Sequence, residues 1–525
     1  MKILVSDPIS DKGVELLKSN PSFQVDKKVG LKEDELCAII GEYDALVVRS
    51  QTKVNQKVLE AAKRLKIIGR AGVGVDNVDV DAATKRGIIV MNTPGGNTTS
   101  TAEHSFSMLM AMARKIPQAH ASMKAGRWDR KLFEGTELFG KTLGVIGMGR
   151  IGSEVAKRAV AFGMRVLAYD PFLSPSRAKA LQVEIVELDE IYKHADFITV
   201  HVPSTDQTKG MINKDTIAKM KKGVRLINCA RGGIINEADL YEALKSGKVA
   251  AAALDVYEKE PPVGLPLAEL DNIVLTPHLG ASTHEAQESV GTEIAEQIAE
   301  ALSGGTIRNA VNMPSIDAKV LAALQPYISF GETLARLLAQ LGPRRVERFT
   351  VEFSGKVAEM ETSPITRAAL KSFLETLLSG NINYVNAPSQ AKQLGIQVEE
   401  TKCADLIDYA ELITVRVQAD GNTTSVAGTF YGNSPRIVRI NNRPVEVVPT
   451  GVLLVISNMD RPGVVGWIGT ITGRHKINIS SMSMGREQAG GEALTVLNLD
   501  SAPTLEMLAE FKKDKDILDV KIAKL

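Results

Sequence analysis

Cysteine is scarce in this sequence, and its scarcity excludes two kinds of architecture. The 525 residues include 3 cysteines, Cys37, Cys229 and Cys403, which are too far apart for a disulfide framework or a zinc site. We therefore expect a reduced protein in the cytoplasm, without a bound metal. No run is long and apolar enough to span a bilayer, and residues 1–5 fit the start of a strand better than a signal peptide.

An excess of charge of one sign is also missing. The 63 lysines and arginines balance the 62 aspartates and glutamates to a formal net charge of +1, which leaves no electrostatic footprint for nucleic acid or a membrane. Any anionic ligand must therefore be bound by local groups. A chain of this length is too long for one hydrophobic core, so we expect about three or four domains.

A glycine-rich turn at residues 147–152 is the most informative motif that is present. An apolar run at 143–146 predicts a buried strand before it, and helical periodicity continues over 151–162 after it. A second predicted strand, 165–169, ends at Asp170, about 20 residues downstream of the glycines. This order is typical of a dinucleotide-binding turn.

Each glycine of this turn has a predicted role. Gly147 would allow the tight turn, Gly149 would let the backbone approach the pyrophosphate, and Gly152 would let helix and strand pack closely. The phosphates would then meet free N–H groups at a helix N-terminus. Asp170 could accept hydrogen bonds from the adenosine ribose and would repel a 2′-phosphate, so NAD is expected rather than NADP.

The alternation of strand-like and helix-like segments predicts an α/β fold with two doubly wound parallel sheets. Helical stretches at 100–113 and 284–303 flank the second sheet and would bridge the two domains. We expect a Rossmann-type NAD-binding domain at 99–283, inserted in a flavodoxin-like substrate-binding domain formed by 1–98 and 284–312. The predicted strands are 3–5, 45–48, 65–68 and 88–90 in the first sheet, and 143–146, 165–169, 197–202, 224–229, 251–256 and 273–276 in the second.

The remaining part of the chain exceeds what a catalytic core needs. A long helical pattern at 317–341 opens an α+β segment, 315–450, which has no sharp motif. Residues 452–525 have the order βαββαβ of a ferredoxin-like unit. Its first helix is expected at 464–474, with Asp460 as N-cap and Pro462 at its start.

Three polar residues directly after predicted strands of the second sheet form the candidate catalytic set. His278 could exchange the proton of a substrate hydroxyl, and Glu260 could fix its tautomer. Arg231 could hold a carboxylate with two parallel hydrogen bonds. Taken singly, each also fits a structural role: a hydrogen-bonding histidine, a solvated loop glutamate and a turn-capping arginine.

These motifs together resemble the D-isomer-specific 2-hydroxyacid dehydrogenases. The resemblance rests on the glycine turn, Asn-Cys-Ala-Arg-Gly-Gly at 228–233, Ala-Leu-Asp-Val at 253–256, Glu-Pro-Pro at 260–262 and Pro-His-Leu-Gly-Ala-Ser-Thr at 277–283. The stretches 69–77 and 97–104 are similar to long members that oxidise 3-phospho-D-glycerate to 3-phosphohydroxypyruvate, the first step of L-serine biosynthesis. That activity, with NAD as cofactor, is what the resemblance implies.

The resemblance also implies roles for individual residues. His278 would be the acid/base, Glu260 its partner and Arg231 the carboxylate clamp, while Asp255 could hold the nicotinamide ribose or amide. Cys229 is expected to pack rather than act as a nucleophile. The cofactor would contact Val73, Gly147, Gly149, Arg150, Ile151, Gly152, Asp170, Val202, Cys229, Asp255, His278, Gly280 and Ala281. The substrate would contact Arg49, Ser50, Gly74 and Asn97, and Arg130 would reach the site of a neighbouring subunit.

A phosphorylated substrate needs additional cations in the cleft. Arg49 and Arg70 follow predicted strands of the first sheet and could point into the cleft, although a surface salt bridge is the alternative for either. Two other functions remain open: a glyoxylate or hydroxypyruvate reductase, and a non-enzymatic NADH-sensing corepressor. The folded C-terminal extension argues against both, because the reductases generally lack it and the corepressors end in a flexible polar tail.

The C-terminal unit resembles an ACT domain, which usually binds an amino acid between paired domains. This resemblance implies a homo-oligomer, a dimer or a tetramer, with L-serine as effector at Asn458, Asp460 and Asn478. Some relatives carry His in place of Asn458 and Asn in place of Asp460, so Asp460 alternatively only caps the helix. The segment 315–450 resembles the intervening allosteric substrate-binding domain of the long members.

Overall fold

The computed structural model describes residues 1–314, 318–378, 382–403 and 409–525. It contains four β-sheets, with five, seven, six and four strands in chain order. Within these ranges, no helix is long and apolar enough to cross a membrane. The central strands of the first two sheets are buried on both faces, so each of these sheets has a hydrophobic core on either side.

The first sheet is entirely parallel and has the order β2-β1-β3-β4-β5, which is the flavodoxin-like arrangement. Side chains of Ser10, Asn55 and Asp79 accept a hydrogen bond from the first turn of the helix that each precedes. The elements are β1 Lys2–Val5, α1 Asp11–Ser19, β2 Gln24–Lys27, α2 Glu33–Ile39, β3 Ala45–Val48, α3 Gln56–Ala61, β4 Ile67–Arg70, α4 Val80–Lys85 and β5 Ile89–Met91.

The second sheet is also entirely parallel, with the order β12-β11-β10-β9-β6-β7-β8. Read from β8 to β12, the first six strands have the order of the Rossmann fold, and β12 is an additional strand at the edge. The elements are α5 Thr98–Ala113, α6 Ile116–Lys124, β6 Thr142–Ile146, α7 Arg150–Ala161, β7 Arg165–Tyr169, α8 Pro175–Leu181, β8 Glu184–Ile185, α9 Leu188–His194, β9 Phe197–Val200, α10 Lys214–Lys219, β10 Val224–Asn228, α11 Glu237–Lys245, β11 Val249–Leu254, β12 Ile273–Leu275 and α12 His284–Leu302.

Helices α5 and α12 belong to different cores. Phe106 and Leu109 of α5 pack in the core of the second sheet, whereas Ile294 and Ile298 of α12 pack in the core of the first. The chain therefore returns to the first sheet after completing the second. A Cβ on Gly13 of α1 would collide with the backbone of α12, so the glycine lets the two helices approach closely.

The third sheet has the order β14-β13-β15-β16-β17-β18 and is antiparallel except for the β13–β14 pair. Helices α13 and α14 cover its buried face, where Phe349, Phe353 and Phe373 form part of the core. The elements are α13 Ala318–Leu341, β13 Arg348–Gly355, α14 Ser363–Leu377, α15 Ala387–Gln393, β14 Gln397–Cys403, β15 Glu411–Ala419, β16 Asn422–Tyr431, β17 Ser434–Ile440 and β18 Arg443–Val447.

The fourth sheet is antiparallel, with the order β20-β21-β19-β22 of a ferredoxin-like unit. One face packs on its two helices, and Leu453 and Val496 on the other face join the core of the third sheet. The elements are β19 Val452–Met459, α16 Val464–Arg474, β20 Ile479–Arg486, β21 Glu492–Leu499, α17 Leu505–Phe511 and β22 Ile517–Lys524. These four sheets confirm the predicted fold class.

The predicted N-cap at Asp460 is wrong. Helix α16 begins at Val464, and Gly463, in the left-handed conformation with φ +96°, occupies the capping position. The Asp460 carboxylate instead accepts hydrogen bonds from Arg486 of β20 and from the backbone N–H of Gly490. The strong attraction of a guanidinium for a carboxylate explains why Asp460 faces the strand rather than the helix.

Candidate active site

The glycine turn joins the end of β6 to the start of α7. Gly147 has φ +95°, a conformation that favours glycine, and a Cβ there would meet the carbonyl oxygen of His201. A Cβ on Gly152 would collide with the carbonyl oxygen of Gly147. A Cβ on Gly149, by contrast, would meet no atom within 4 Å, which leaves the backbone at the helix start open to a ligand.

Asp170 follows β7 and lies beside this turn. Its carboxylate accepts hydrogen bonds from the backbone N–H of Met148 at 2.7 Å and of Phe172 at 2.8 Å. The open helix start and the neighbouring carboxylate fit the pyrophosphate and ribose of a dinucleotide. Val202, after β9, lies against Gly147 at the same edge of the sheet.

His278 and Glu260 form a hydrogen-bonded pair after β12 and β11. His278 Nδ1 lies 2.7 Å from Glu260 Oε2, and the other oxygen, Oε1, accepts from the backbone N–H of Tyr257 at 3.1 Å. The hydrogen bond that His278 donates to Glu260 raises the pKa of His278 above its ordinary 6.5, although burial opposes the shift. The histidine side chain is 51% exposed, so Nε2 can be reached by a substrate.

Burial acts to raise the pKa of Glu260, but the hydrogen bond and charge of His278 outweigh it and hold that pKa below its ordinary value. The carboxylate is therefore ionised at neutral pH and accepts the proton on Nδ1 of His278. This arrangement fixes the tautomer and leaves Nε2 as the nitrogen that can exchange a proton.

Asp255, at the end of β11, organises the loop that carries His278. Its side chain is fully buried and accepts from the hydroxyl of Thr276 at 2.6 Å and from the backbone N–H groups of Leu279 and Gly280 at 2.7 and 2.8 Å. His104 Nε2 lies 3.2 Å away. Burial acts to raise the pKa of Asp255, yet these hydrogen bonds hold it below its ordinary value.

The role of His104 was missed by sequence reasoning. It was part of the motif 97–104, but no local pattern indicated that α5 would place it against a strand end more than a hundred residues later. Cys229 is also buried here, and burial raises the pKa of its thiol to about 12. The thiolate is therefore not populated near neutral pH, as expected for a residue that packs.

Three arginines converge where the two parallel sheets face each other. Arg231 Nε lies 3.1 Å from Asp76 Oδ2, and its Nη2 lies against Gly74, where a Cβ would collide with it. Arg70 Nε donates to the carbonyl oxygen of Arg49 at 3.2 Å. Burial, and then the charge of Arg231, lower the pKa of Arg70 to about 10.

Of the remaining predicted residues, all but Arg130 lie in loops or at helix starts around this cleft. Asn97 lies at the start of α5, and its Oδ1 is buried without a hydrogen-bond partner in the part of the chain that the structure describes. Residues of the loops and helix starts around this cleft are Ser50, Val73, Arg150, Ile151, Gly280 and Ala281. Arg130 is not among them: its short helix Arg130–Phe133 lies by the amino ends of β11 and β12, at the opposite edge of the sheet from His278.

The three predicted effector residues do not form one cluster within the chain. Asn458 is buried near the end of β19 and accepts from the hydroxyl of Thr495 at 2.9 Å. Asn478 lies before β20 and donates to Asp500 at 2.7 Å. The strand register puts Asn478 at the opposite end of the sheet, about 20 Å from Asn458 at the usual rise per residue.

Comparison with known proteins places this site in a family. Residues 106–280 match the model of the D-isomer specific 2-hydroxyacid dehydrogenase NAD binding domain, and residues 323–441 match that of the D-3-phosphoglycerate dehydrogenase intervening domain. A D-3-phosphoglycerate dehydrogenase of Archaeoglobus fulgidus is 48% identical over 528 residues, with 100% of both chains covered.

Solved structures match more than half of this chain. The TT0316 protein from Thermus thermophilus is 36% identical with a TM-score of 0.55, over 59% of this chain and 100% of that chain. D-Lactate dehydrogenase from Aquifex aeolicus, complexed with NAD and lactic acid, is 31% identical with a TM-score of 0.53, over 60% of this chain and 100% of that chain.

The fold and the site define an NAD-dependent oxidoreductase of the D-isomer specific 2-hydroxyacid dehydrogenase class. Within this class, the chain belongs to the family of D-3-phosphoglycerate dehydrogenases. The predicted family, enzyme class and cofactor are thereby confirmed.

Proposed function

We propose that the chain oxidises 3-phospho-D-glycerate to 3-phosphohydroxypyruvate with NAD, the first step of L-serine biosynthesis, and that His278, Glu260 and Arg231 carry the reaction. The observation that supports this most strongly is the central position of Arg231. Its charge acts on both His278 and Arg70, so one cleft holds a proton acceptor and several cations. An acid with a carboxylate and a phosphate matches that charge pattern.

His278 is the group that moves the proton. With Nδ1 held by Glu260, the neutral imidazole accepts the proton of the substrate C2 hydroxyl at Nε2. NAD, held at the glycine turn and Asp170, would supply the acceptor for the hydride on C2, so that the alcohol would be oxidised to a ketone. The ionised Glu260 stabilises the imidazolium that forms, and His278 then releases its proton to solvent.

Arginine side chains orient the substrate in this proposal. Arg231 Nη2, beside Gly74, would bind the carboxylate, while Asp76 holds the Nε edge of the same guanidinium. Arg49 and Arg70 would bind the phosphate. The unpaired Oδ1 of Asn97 supports a further polar contact at the start of α5.

The cofactor would occupy the carboxyl edge of the second sheet. We assign the pyrophosphate to the helix start at Gly149, Arg150 and Ile151, and the adenosine ribose to Asp170. The remaining predicted contacts, made largely through backbone groups, are Val73, Val202, Cys229, Asp255, Gly280 and Ala281.

Four structural units fit this assignment. We propose a substrate-binding domain formed by 1–98 and 284–312, an NAD-binding domain at 99–283, an intervening domain at 315–450 and an ACT domain at 452–525. The return of α12 to the first core supports the discontinuous first unit. Relatives that match over the whole chain are D-3-phosphoglycerate dehydrogenases, so neither the glyoxylate or hydroxypyruvate reductase nor the corepressor is favoured.

Product identification tests the proposed reaction. The full chain is incubated with NAD and 3-phospho-D-glycerate at mildly alkaline pH, NADH is followed by absorbance, and the product by phosphorus NMR. The proposal predicts 3-phosphohydroxypyruvate in equal amount to NADH, and about 10²–10⁴-fold slower formation in His278→Gln. Equal rates in the variant would contradict the assignment of the acid/base.

We further propose that the chain forms a homo-oligomer in which Arg130 reaches a neighbouring subunit's site. Exposed apolar side chains near Arg130 support an interface there, because such patches are rare on monomers. They are Ile116, Met123, Trp128 and Leu132. Trp128→Glu is expected to reduce the mass measured by light scattering; an unchanged mass would place the interface elsewhere.

L-Serine is the proposed effector, bound between two ACT domains. The opposite positions of Asn458 and Asn478 support a site that needs two chains, with Asp460 near Asn458. Serine is expected to inhibit NADH formation in the unmodified chain and to inhibit Asp460→Ala less. If millimolar serine does not inhibit the unmodified chain, the proposal is contradicted.

A further inference from the structure

A second cleft lies at the edge of the first sheet opposite the candidate active site. It has a volume of about 890 Å³ and is bounded on one side by residues at the amino ends of β3, β4 and β5. The end of α14 and the helix α15 bound its other side. Asn383 Nδ2 donates to the carbonyl oxygen of Gly87 at 2.9 Å and holds the two sides together. We call this cleft the interdomain groove.

The interdomain groove is strongly cationic. Its only lining carboxylate among the described residues is the buried Asp44, which lies 3.4 Å from Arg64 Nη2 and 3.9 Å from Lys66 Nζ. The lining cations are Lys63, Arg64, Lys66, Lys85 and Arg86. Within the described ranges, Lys63, Lys85 and Arg86 form no salt bridge.

The negative ends of two helices compensate part of the positive charge in the groove, but not all of it. Lys85 and Arg86 end α4, and Lys63 follows α3, positions where a cation is favoured by about half a negative charge at the helix C-terminus. After Asp44 and the two helix ends are counted, the groove retains a net charge of about +3. Such a concentration of one sign is costly unless a mobile or bound anion compensates it.

We propose that the interdomain groove binds a small, non-aromatic polyanion that carries phosphate groups. The volume is within the usual range for small-molecule sites, about 300–1,000 Å³. Among the residues that the structure describes, no aromatic side chain lines the groove, so none of them stacks on a nucleobase. Gln390 of α15 lines the other side of the groove and supplies a neutral polar group there.

An anion bound in this groove would contact both the intervening segment and the amino ends of β3 and β4, the strands that lead to Arg49 and Arg70. Asp44 directly precedes β3, after which Arg49 follows, and Lys66 directly precedes β4, which ends at Arg70. These strands span roughly 13 Å from one edge of the sheet to the other. Within the described part of the chain, the groove shares no lining residue with the catalytic cleft.

Calorimetric titration of the full chain with inorganic pyrophosphate tests the proposal. NADH is kept at saturation, so that the dinucleotide site is filled, and ionic strength is matched with chloride. We expect two binding events: one weakened by Arg70→Gln at the catalytic cleft, and one weakened at least about tenfold by the double variant Lys63→Gln, Lys85→Gln. Lys18→Gln, which also removes a cation near a helix C-terminus, should change neither event.

Gln390→Glu provides a second variant with almost the same shape. It adds a negative charge to the opposite side of the groove and is expected to weaken the same event as the double lysine variant. A single binding event that only Arg70→Gln alters would overturn the proposal. Loss in the lysine variant without loss in Gln390→Glu would overturn the placement of the ligand between the two sides.

Discussion

Asp170 accepts a hydrogen bond from the backbone N–H of Met148 at 2.7 Å, which fastens the acidic end of β7 to the glycine turn after β6. The carboxylate therefore has a structural task as well as its proposed contact with the ribose. A variant that keeps the acceptor but removes the charge can separate the two tasks.

Asp170→Asn is the variant that does so. The amide oxygen still accepts from Met148, while the negative charge that would repel a 2′-phosphate is gone. We expect the ratio of kcat/KM for NAD over NADP to fall about ten- to a hundredfold. Asp189→Asn, a surface change at the Lys219 salt bridge, is the control and should leave that ratio unchanged. An unaltered ratio in Asp170→Asn would place the ribose elsewhere.

Two alanine substitutions in the glycine turn should have different consequences. Gly152→Ala puts a Cβ into the carbonyl oxygen of Gly147 and should lower both the melting temperature and the affinity for NADH. Gly149→Ala meets no protein atom and should lower only the affinity for NADH, because the methyl group occupies the open space at the helix start. Fluorescence titration and thermal unfolding measure the two effects. Unchanged NADH binding in Gly149→Ala would contradict the assigned pyrophosphate position.

The hydrogen bond that His278 donates to Glu260 should control the pH dependence of the oxidation. Because it raises the pKa of His278, its removal lowers that pKa and extends the neutral base to lower pH. In Glu260→Gln, the acidic limb of the kcat/KM profile should therefore move to lower pH, while the plateau falls because the imidazolium is less stabilised. A limb that moves to higher pH, or stays in place, would show that another group controls the profile.

The same shift has a consequence for stability. A histidine whose pKa is raised in the folded chain adds stability below the unfolded pKa of about 6.5, and this contribution disappears as pH rises through the folded value. The destabilisation caused by Glu260→Gln should therefore be larger between pH 4.5 and 6.5, where Glu260 is ionised and His278 is protonated, than above the folded pKa of His278. Chemical denaturation in both pH ranges measures the difference, and an equal effect in both would contradict it.

Arg49 should matter more for a phosphorylated acid than for a plain one. Arg49→Gln is expected to raise KM for 3-phospho-D-glycerate about tenfold or more, and KM for D-glycerate much less, because a charge-assisted contact is lost only with the former. Lys28→Gln, an exposed cation of the same domain, is the control. Equal effects of Arg49→Gln on both acids would remove the phosphate assignment.

The sequence predicted those parts of the fold that depend on local pattern. Buried parallel strands such as 143–146 are continuous apolar runs, and the glycine turn is constrained within a few residues. Strand β2, Gln24–Lys27, was missed because it is a polar edge strand with no apolar alternation. Strand β4 ends at Arg70, two residues later than predicted. The apolar residues of a strand do not show where its hydrogen bonds end, so the apolar run at 65–68 gave the wrong end.

The site was harder to predict wherever its contacts cross the chain. The His278–Glu260 pair could be proposed from residue types after neighbouring strands, but the contact of His104 with Asp255 depends on how α5 packs on the second sheet. Asp460 illustrates the opposite error. A carboxylate four residues before a helix resembles a cap, and only the approach of β20 shows that it forms a salt bridge with Arg486 instead.

Comparison of 3-phospho-D-glycerate with D-glycerate is the most direct test of the central claim, because the two acids differ only in the phosphate. NADH formation is measured with the full chain at saturating NAD, and kcat/KM is determined for each acid. The convergence of Arg49, Arg70 and Arg231 predicts a preference of about a hundredfold or more for the phosphorylated acid. Equal or faster oxidation of D-glycerate would contradict the account.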